Sequence, residues 1–406
     1  MSCKQTHIGE FVASGQIHIQ TGPFGTQLGA SDYTSEGTPV INVRNIGYGN
    51  LRPDKLEYIP DSVVKRLKKH VLEQNDIVFG RKGAVDRHLL VSDEQAGWVQ
   101  GSDCIRLRVL SGSIDPIFLS FVLRLDNHKQ WMLSQCSNKA TMASLNQGVI
   151  NRIPICVPDR ATQKSIVFIL KSYDDLIENN RRRIQLLEEA ARLLYREWFV
   201  HLRFPGHEHV AIKDGVPEGW ERRTLGDLCK EIRETVKPEA LEPDTPYIGL
   251  EHMPRRSISL GEWGTAEQIT SSKHRFHEGD ILFGKIRPYF HKVGIAFVDG
   301  IASSDTIVIR PCEHDLRNFV LMTVSSDPFV AVTAQTMREG SKMPRADWKQ
   351  MQAYLTPLPP SGLLDNFDRS IQAIIEQLKS LSLTNQKLAQ ARDLLLPHLM
   401  NGEIIV

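Results

Sequence analysis

Asp76 to Gly83 reads DIVFGRKG, and Asp280 to Arg287 reads DILFGKIR. Each is an acidic turn, then an alternating apolar strand, then a glycine followed by basic residues. Four further pairs occur in the same order. Ile8-Gly9-Glu10-Phe11 matches Leu225-Gly226-Asp227-Leu228, and Pro39-Val40-Ile41 matches Pro246-Tyr247-Ile248. Ser102-Asp103-Cys104-Ile105 matches Ser304-Asp305-Thr306-Ile307, and Val157-Pro158 matches Leu358-Pro359. The offset drifts from 217 through 207, 204 and 202 to 201, as loops of unequal length between shared strands require. The chain is therefore written twice.

Each copy changes character at its end. From Ala161 to Phe199 glycine and proline vanish, and apolar residues fall at helical spacing: Ile166, Ile169, Tyr173, Leu176, Ile184, Leu187, Ala191, Leu194 and Trp198. Tyr173 to Ile184 is a long step bridged by Asn180, which reads as a stutter. The second copy runs Phe367, Ile371, Ile374, Leu378, Leu381, Asn385, Leu388, Ala391 and Leu395. Asn385 sits on the seam, where a polar residue costs stability and can fix register. Helices of about 30 residues and about 45 Å are too long to wrap a small domain, so each seam is expected to partner the other. The expected class is mixed α+β: two α/β domains in tandem repeat, separated by two long helices that form an antiparallel coiled coil. The boundaries read as 1–160, 161–205, 206–360 and 361–406, with a Gly-, Pro- and His-containing linker at Arg203 to Gly219. Antiparallel pairing would put the globular parts at opposite ends of a rod and let the duplicated chain acquire a pseudo-twofold axis, which suits a duplex.

Composition excludes several classes. An apolar fraction of 41% and a charged fraction of 24% are those of a folded globular protein. No apolar run suits a signal peptide or a membrane span, so a cytoplasmic location is expected. The six cysteines (Cys3, Cys104, Cys136, Cys156, Cys229, Cys312) show no C-x-x-C pair and read as reduced. Net charge is +1; residues 1–160 hold 18 basic and 15 acidic residues, and residues 206–360 hold 19 and 22. Any polyanion-binding face must be a local patch.

The residues also resemble a known family. Phe24 in GPFGTQL (Gly22 to Leu28) is similar to a turn near the start of Type I restriction-modification target-recognition domains, and VPEGWE (Val216 to Glu221) resembles the usual entry to such a domain. Tyr173-Asp174, Arg181 to Arg183 and Arg196-Glu197-Trp198-Phe199 resemble the central spacer helix, and LLLPHLMNGE (Leu394 to Glu403) resembles the end of the family. No Pro-Glu-Gly-Trp precedes the first domain. The resemblance covers essentially the whole chain and implies the specificity subunit. Such a subunit is non-catalytic and reads a bipartite, asymmetric double-stranded DNA target, one domain per half. It docks two methyltransferase subunits and, in the full complex, restriction subunits; S-adenosylmethionine, ATP and magnesium belong to those partners.

Within that implication, the candidate DNA contacts are the Arg, Lys, Gln and Thr residues of non-periodic segments, because Arg and Gln read base edges and Lys holds phosphates. They are Thr26, Gln27, Arg44, Arg81, Lys82 and Lys139 in the first domain. In the second they are Arg255, Arg256, Lys285, Arg287, Lys342 and Arg345.

Motifs for chemistry on this chain fall short. Gly279 to Lys285 satisfies G-x-x-x-x-G-K, but Ile286 stands where a phosphate loop needs Ser or Thr, and the middle residues read as strand. No Asp or Asn precedes a Pro-Pro-aromatic; Leu358-Pro359-Pro360-Ser361 reads as a strand ending before a helix. Gly47-Tyr48-Gly49 reads as a hairpin turn, and Asp347-Trp348-Lys349 as a helix start. His201, His207 and His209 near Glu208 lack a fourth ligand and read as loop histidines, so no metal site is expected. Arg181-Arg182-Arg183 reads equally as a DNA- or partner-facing run and as the exposed side of a coiled coil. Two rival readings are a duplicated coiled-coil scaffold without a DNA role and a diverged bifunctional DNA-modifying enzyme.

Overall fold

The computed structural model describes residues 4–53, 55–136, 143–335 and 344–406. They form two compact units: residues 1–174 with 390–406, and residues 175–389.

In the first unit, Ile77–Gly80 lies in a five-stranded sheet ordered Ile17–Thr21, Cys104–Val109, Ile77–Gly80, His88–Leu90, Tyr48–Gly49, the last pair parallel and the others antiparallel. A small sheet of Glu57–Ile59, Thr38–Ile41 and Val99–Gln100 adjoins it. Lys4–His7 pairs with Pro154–Val157, which closes the domain and lays a second strand beside Cys156. Cys156 is disulfide-bonded, a correction to the expectation that all cysteines are reduced; Cys104, Cys136, Cys229 and Cys312 are free. The sheet packs on helices Pro116–Leu123 and Asp126–Cys136, and one core takes in Phe118, Phe121, Ile166 and Leu170 with Leu396 and Leu399.

The second unit repeats the order with Cys229–Ile232, Thr306–Pro311, Ile281–Gly284, Val293–Ala296 and Ser259–Leu260, again with the last pair parallel. Its companion sheet has five strands instead of three. Glu221–Thr224 pairs with Leu355–Leu358 just as the first domain closes.

The same electrostatic fastening holds the key strand in each copy. Asp76 is 1% exposed, takes Arg108 in two bonds of 2.7 Å, and accepts the Glu73 N–H at 2.8 Å. Asp280, 3% exposed, takes Arg310 in two bonds of 2.7 Å and the His277 N–H at 2.8 Å. The residue before each aspartate is left-handed, Asn75 at φ 68° and Gly279 at φ 88°. Those are the two residue types that tolerate this conformation best, which explains the Asn-for-Gly exchange between copies. Ile281–Gly284 is a fully buried strand, so the middle of the apparent phosphate loop is sheet, as its apolar run indicated.

The long helices are Arg160–Tyr195, 36 residues, and Ser361–Met400, 40 residues, each longer than the spacing suggested. Within the second unit they run antiparallel: Asn180 donates to Asn385 at 2.9 Å, and Phe199 meets Phe367 edge-on at 4.7 Å. Within the first unit Asp174 pairs with Arg392 at 2.6 Å. Ile166, Ile371, Leu378 and Leu381 are buried on the seam, and Ile169, Ile184, Leu187, Leu194, Ile374 and Leu395 pack partly against it. Leu176 is corrected: it is 50% exposed, and Ile177 at 5% takes its place. The buried face runs Ile166, Leu170, Ile177, Asn180, Glu188, Ala191, Tyr195, in steps of a straight 3.6-residue helix, so the stutter is absent. Tyr173 and Leu388 are half-buried. A π turn at Arg196–Val200 sends both Trp198 and Phe199 inward, onto Phe319 and Phe367. The following segment is not a loose tether: Phe204 is buried and stacks on Trp220 at 4.9 Å.

Candidate nucleic-acid interface

The basic turn leaves each key strand at a glycine, where a side chain would be crowded. A Cβ on Gly80 would come 2.9 Å from the Ala84 carbonyl, and one on Gly284 would come 3.0 Å from Leu250. Beyond the glycine the two copies make the same backbone bonds. Arg81 N–H donates to Asp103 and its carbonyl accepts from Leu145; Lys285 N–H donates to Asp305 and its carbonyl accepts from Ala346. One further on, Lys82 bridges to Ser144 and Ile286 to Arg345. The turn is thus held on both sides by strand-like pairing, and its side chains have a defined direction.

Several expected residues meet here. Lys82 lies 3.1 Å from Asp103 and Arg345 lies 3.2 Å from Asp305, all in exposed ion pairs. Lys285 donates to the Ser304 carbonyl at 3.3 Å, and burial holds its ammonium below the usual lysine range. Arg81 covers the ring of exposed Phe24 at 4.9 Å, and Arg255 and Arg287 share the Phe290 ring at 4.1 and 5.6 Å. Arg44 pairs with Glu57, and its neighbour Val43 would meet a Cβ on Gly80 at 3.2 Å. Thr26 and Gln27 lie in the short turn Gly25–Gln27, where the Gln27 carbonyl accepts from Arg66. Arg256 is turned to Asp327 at 2.9 Å, on the side of the first long helix rather than at the glycine turn. Lys139 and Lys342 lie outside the described residues.

Residue-type reasoning passed over the aromatic residues. Phe24, Tyr48 and Tyr289 are 52%, 42% and 53% exposed, and Arg87 and Lys129 both lie over the Tyr48 ring. An exposed ring beside a guanidinium offers a stacking face and a cation together, a pairing that suits nucleic acid. The paired acids Asp103 and Asp305 were in plain view within the Ser-Asp match but carried no ligand chemistry of their own.

Other motifs resolve into structure. Asp347 caps the helix Trp348–Met351, and Gly47 closes a tight turn with Asn50. Among the described residues no group of three His, Cys, Asp or Glu could hold a metal ion, and no helix is long and apolar enough to cross a membrane.

Comparison with known proteins points one way. The family model described as the Type I restriction modification DNA specificity domain matches twice, over residues 22–189 and 217–392. The chain is 22% identical to the Type I restriction enzyme HindI specificity subunit of Haemophilus influenzae, covering 89% of this chain and 94% of that one. It is 23% identical to the Type I restriction enzyme MjaIX specificity subunit of Methanocaldococcus jannaschii, over 68% of this chain and 66% of that one. The crystal structure of a Type I restriction-modification S subunit from M. genitalium shares the fold, with TM-score 0.59 at 14% identity, 98% of this chain and 96% of that chain being covered.

Proposed function

The chain belongs to the Type I restriction-modification DNA specificity family, and from that membership we propose that its two domains each read one half of a bipartite, asymmetric site in double-stranded DNA. The observation that carries this is the basic glycine turn, built twice with identical backbone bonds and set beside exposed aromatic residues. On this reading Arg81, Arg255 and Arg287 address base edges, while Lys82, Lys285 and Arg345 address phosphates. Arg44 and Gln27 lie at the margin of the same face, and Arg256 serves the loop that carries Arg255.

The helix pair is the ruler between the halves and the dock for two methyltransferase subunits, with restriction subunits joining the full complex. The chain contributes binding only. Adenine extrusion and methylation with S-adenosylmethionine, and ATP- and magnesium-dependent cleavage, take place on those partners in the cytoplasm.

The test is a map of methylated adenines in host DNA with and without this chain. The reading expects one two-part motif to lose methylation when the chain is deleted. An unchanged map, or methylation or cleavage by the purified chain alone with cofactors supplied, overturns it.

A further inference from the structure

The second unit holds a buried carboxylate that neither DNA reading nor helix pairing explains. Glu188 lies on the first long helix, 4% exposed. Its Oε1 accepts four hydrogen bonds from one loop: Ser257 Oγ at 2.6 Å, Ile258 N–H at 3.0 Å, Ser259 N–H at 3.0 Å and Ser259 Oγ at 2.8 Å. One turn later Arg192 donates to the Arg256 carbonyl, and from the second long helix Gln386 donates to the Gly261 carbonyl at 2.7 Å. The strip from Arg256 to Gly261 is therefore strapped to the helix pair through its own backbone.

The strap bears on the candidate interface through strain. Arg256, Arg287 and His291 have φ of 54°, 50° and 54°, a left-handed region that non-glycine residues occupy rarely and under strain. They adjoin one another: Arg256 N–H donates to the His291 carbonyl at 2.9 Å, and Phe290, between Arg287 and His291, lies under the guanidinium groups of Arg255 and Arg287. Such a conformation persists only where its surroundings over-determine it. Four hydrogen bonds onto one buried charged oxygen do that for the Arg256 end, since bonds to charged groups are the strong ones.

We propose that Glu188 is a positioning residue for the second recognition domain: it holds the Arg255–Ser259 loop in its strained form and so sets Arg255 against Phe290 for reading the second half-site. This rests on the DNA-reading function proposed above. Among the described residues the first domain shows no such strap at the matching strand; there Arg124 reaches Asp174 on the first long helix instead, at 2.7 Å. The effect is therefore confined to one half of the target.

The experiment replaces the chromosomal copy with full-length variants and maps methylated adenines, reading each half of the motif separately. Arg81→Ala is expected to disturb one half, and Arg255→Ala and Glu188→Ala the other, with discrimination there falling roughly tenfold, the scale of one good base contact. Adding Arg255→Ala to Glu188→Ala should change nothing further. Glu188→Gln, which keeps an acceptor at Oε1, should restore most of the discrimination, and Ser257→Ala with Ser259→Ala should give a partial loss in the same half. The proposal is overturned if Glu188→Ala lowers methylation evenly with the motif intact, if it alters both halves or the half disturbed by Arg81→Ala, or if the two losses simply add. Unchanged methylation on deleting the chain overturns the DNA reading itself, and that outcome is distinct from all of these.

Discussion

The duplicated aspartates invite a comparison in which the same substitution has unequal cost. Asp76 and Asp280 occupy equivalent places with the same bidentate arginine, yet their neighbours differ: Glu73, which also pairs with Arg108, stands where the second copy has His277. In the first domain the adjoining strand also carries Arg106, 4% exposed and 4.0 Å from Asp76, with its Nη1 donating to the Lys69 and Val71 carbonyls at 3.1 and 3.0 Å. The equivalent residue in the second domain is Val308. Asp76→Asn therefore removes the nearer counter-charge of a buried guanidinium and leaves only Glu73, at a cost of up to about 3–5 kcal/mol, a large share of the roughly 5–15 kcal/mol that stabilises a domain. Asp280→Asn strands only Arg310, whose side chain is 37% exposed and can turn to water, so about 1–2 kcal/mol is expected there. The assay is native-state hydrogen exchange of the full chain in urea, read on the amides of Ile77–Gly80 and Ile281–Gly284. Placing valine at position 106 should reduce the Asp76→Asn cost to that of Asp280→Asn. Equal costs in the two domains, or no relief from Arg106→Val, would refute the assignment of the difference to Arg106.

Two further outcomes follow from the helices. Burial alone would raise the Asp174 pKa, but the charges and hydrogen bonds of Arg124 and Arg392 outweigh it and hold the carboxyl below its ordinary value. A depressed folded pKa means stability that is present above the unfolded value of about 3.9 and lost as pH falls through the folded value. The stability difference between the native chain and Arg392→Met, followed by urea unfolding, should therefore be constant near neutral pH and shrink below about pH 4; a difference that persists in acid would contradict the clamp. At the seam, Asn180→Leu alone strands the Asn385 oxygen and should cost about 1–2 kcal/mol, whereas Leu at both positions should be neutral or stabilising. Thermal melts of the two single variants and the double variant test this, and additive losses would count against the bond.

The parts of the fold legible in the sequence were those where burial forces residue type. A strand buried on both faces must be apolar throughout, and a crowded position at its end favours glycine, so DIVFG and DILFG stood out in both copies. The fastening of those strands was only half visible. Asp76 and Asp280 marked the turn, but Arg108 and Arg310 lie 32 and 30 residues further on, and local periodicity carries no information about pairing at that distance. On the first long helix the eye follows leucine, and Leu176 displaced Ile177 although the helical period reaches Ile177. A polar seam residue such as Glu188 is invisible to an apolar pattern because its partners are backbone N–H groups of a distant loop. The linker reading of Arg203 to Gly219 failed for a related reason: glycine and proline there serve a short, largely exposed hairpin of Ile212–Lys213 with Val216–Pro217, and Phe204 supplies the anchor.

The near-neutral charge, which offered the DNA reading no support, takes on a meaning once the acids are located. Lys82, Arg345 and Arg44 each face an acid on the surface: Asp103, Asp305 and Glu57. Exposed pairs of this kind are worth about 0–1 kcal/mol, so a phosphate can displace the acid at little cost. The carboxylate left behind repels the incoming backbone, and only additional base contacts offset that repulsion. A face of bare lysines would bind any duplex by counterion release. On the proposed reading, a face whose cations are already paired would bind the wrong sequence weakly and keep its affinity for a site that also satisfies Arg81 or Arg255. For a protein whose task is to choose among sequences, the discriminating quantity is the ratio of specific to non-specific binding. Paired acids raise that ratio while leaving the summed charge close to zero, so composition reported the balance and concealed the arrangement.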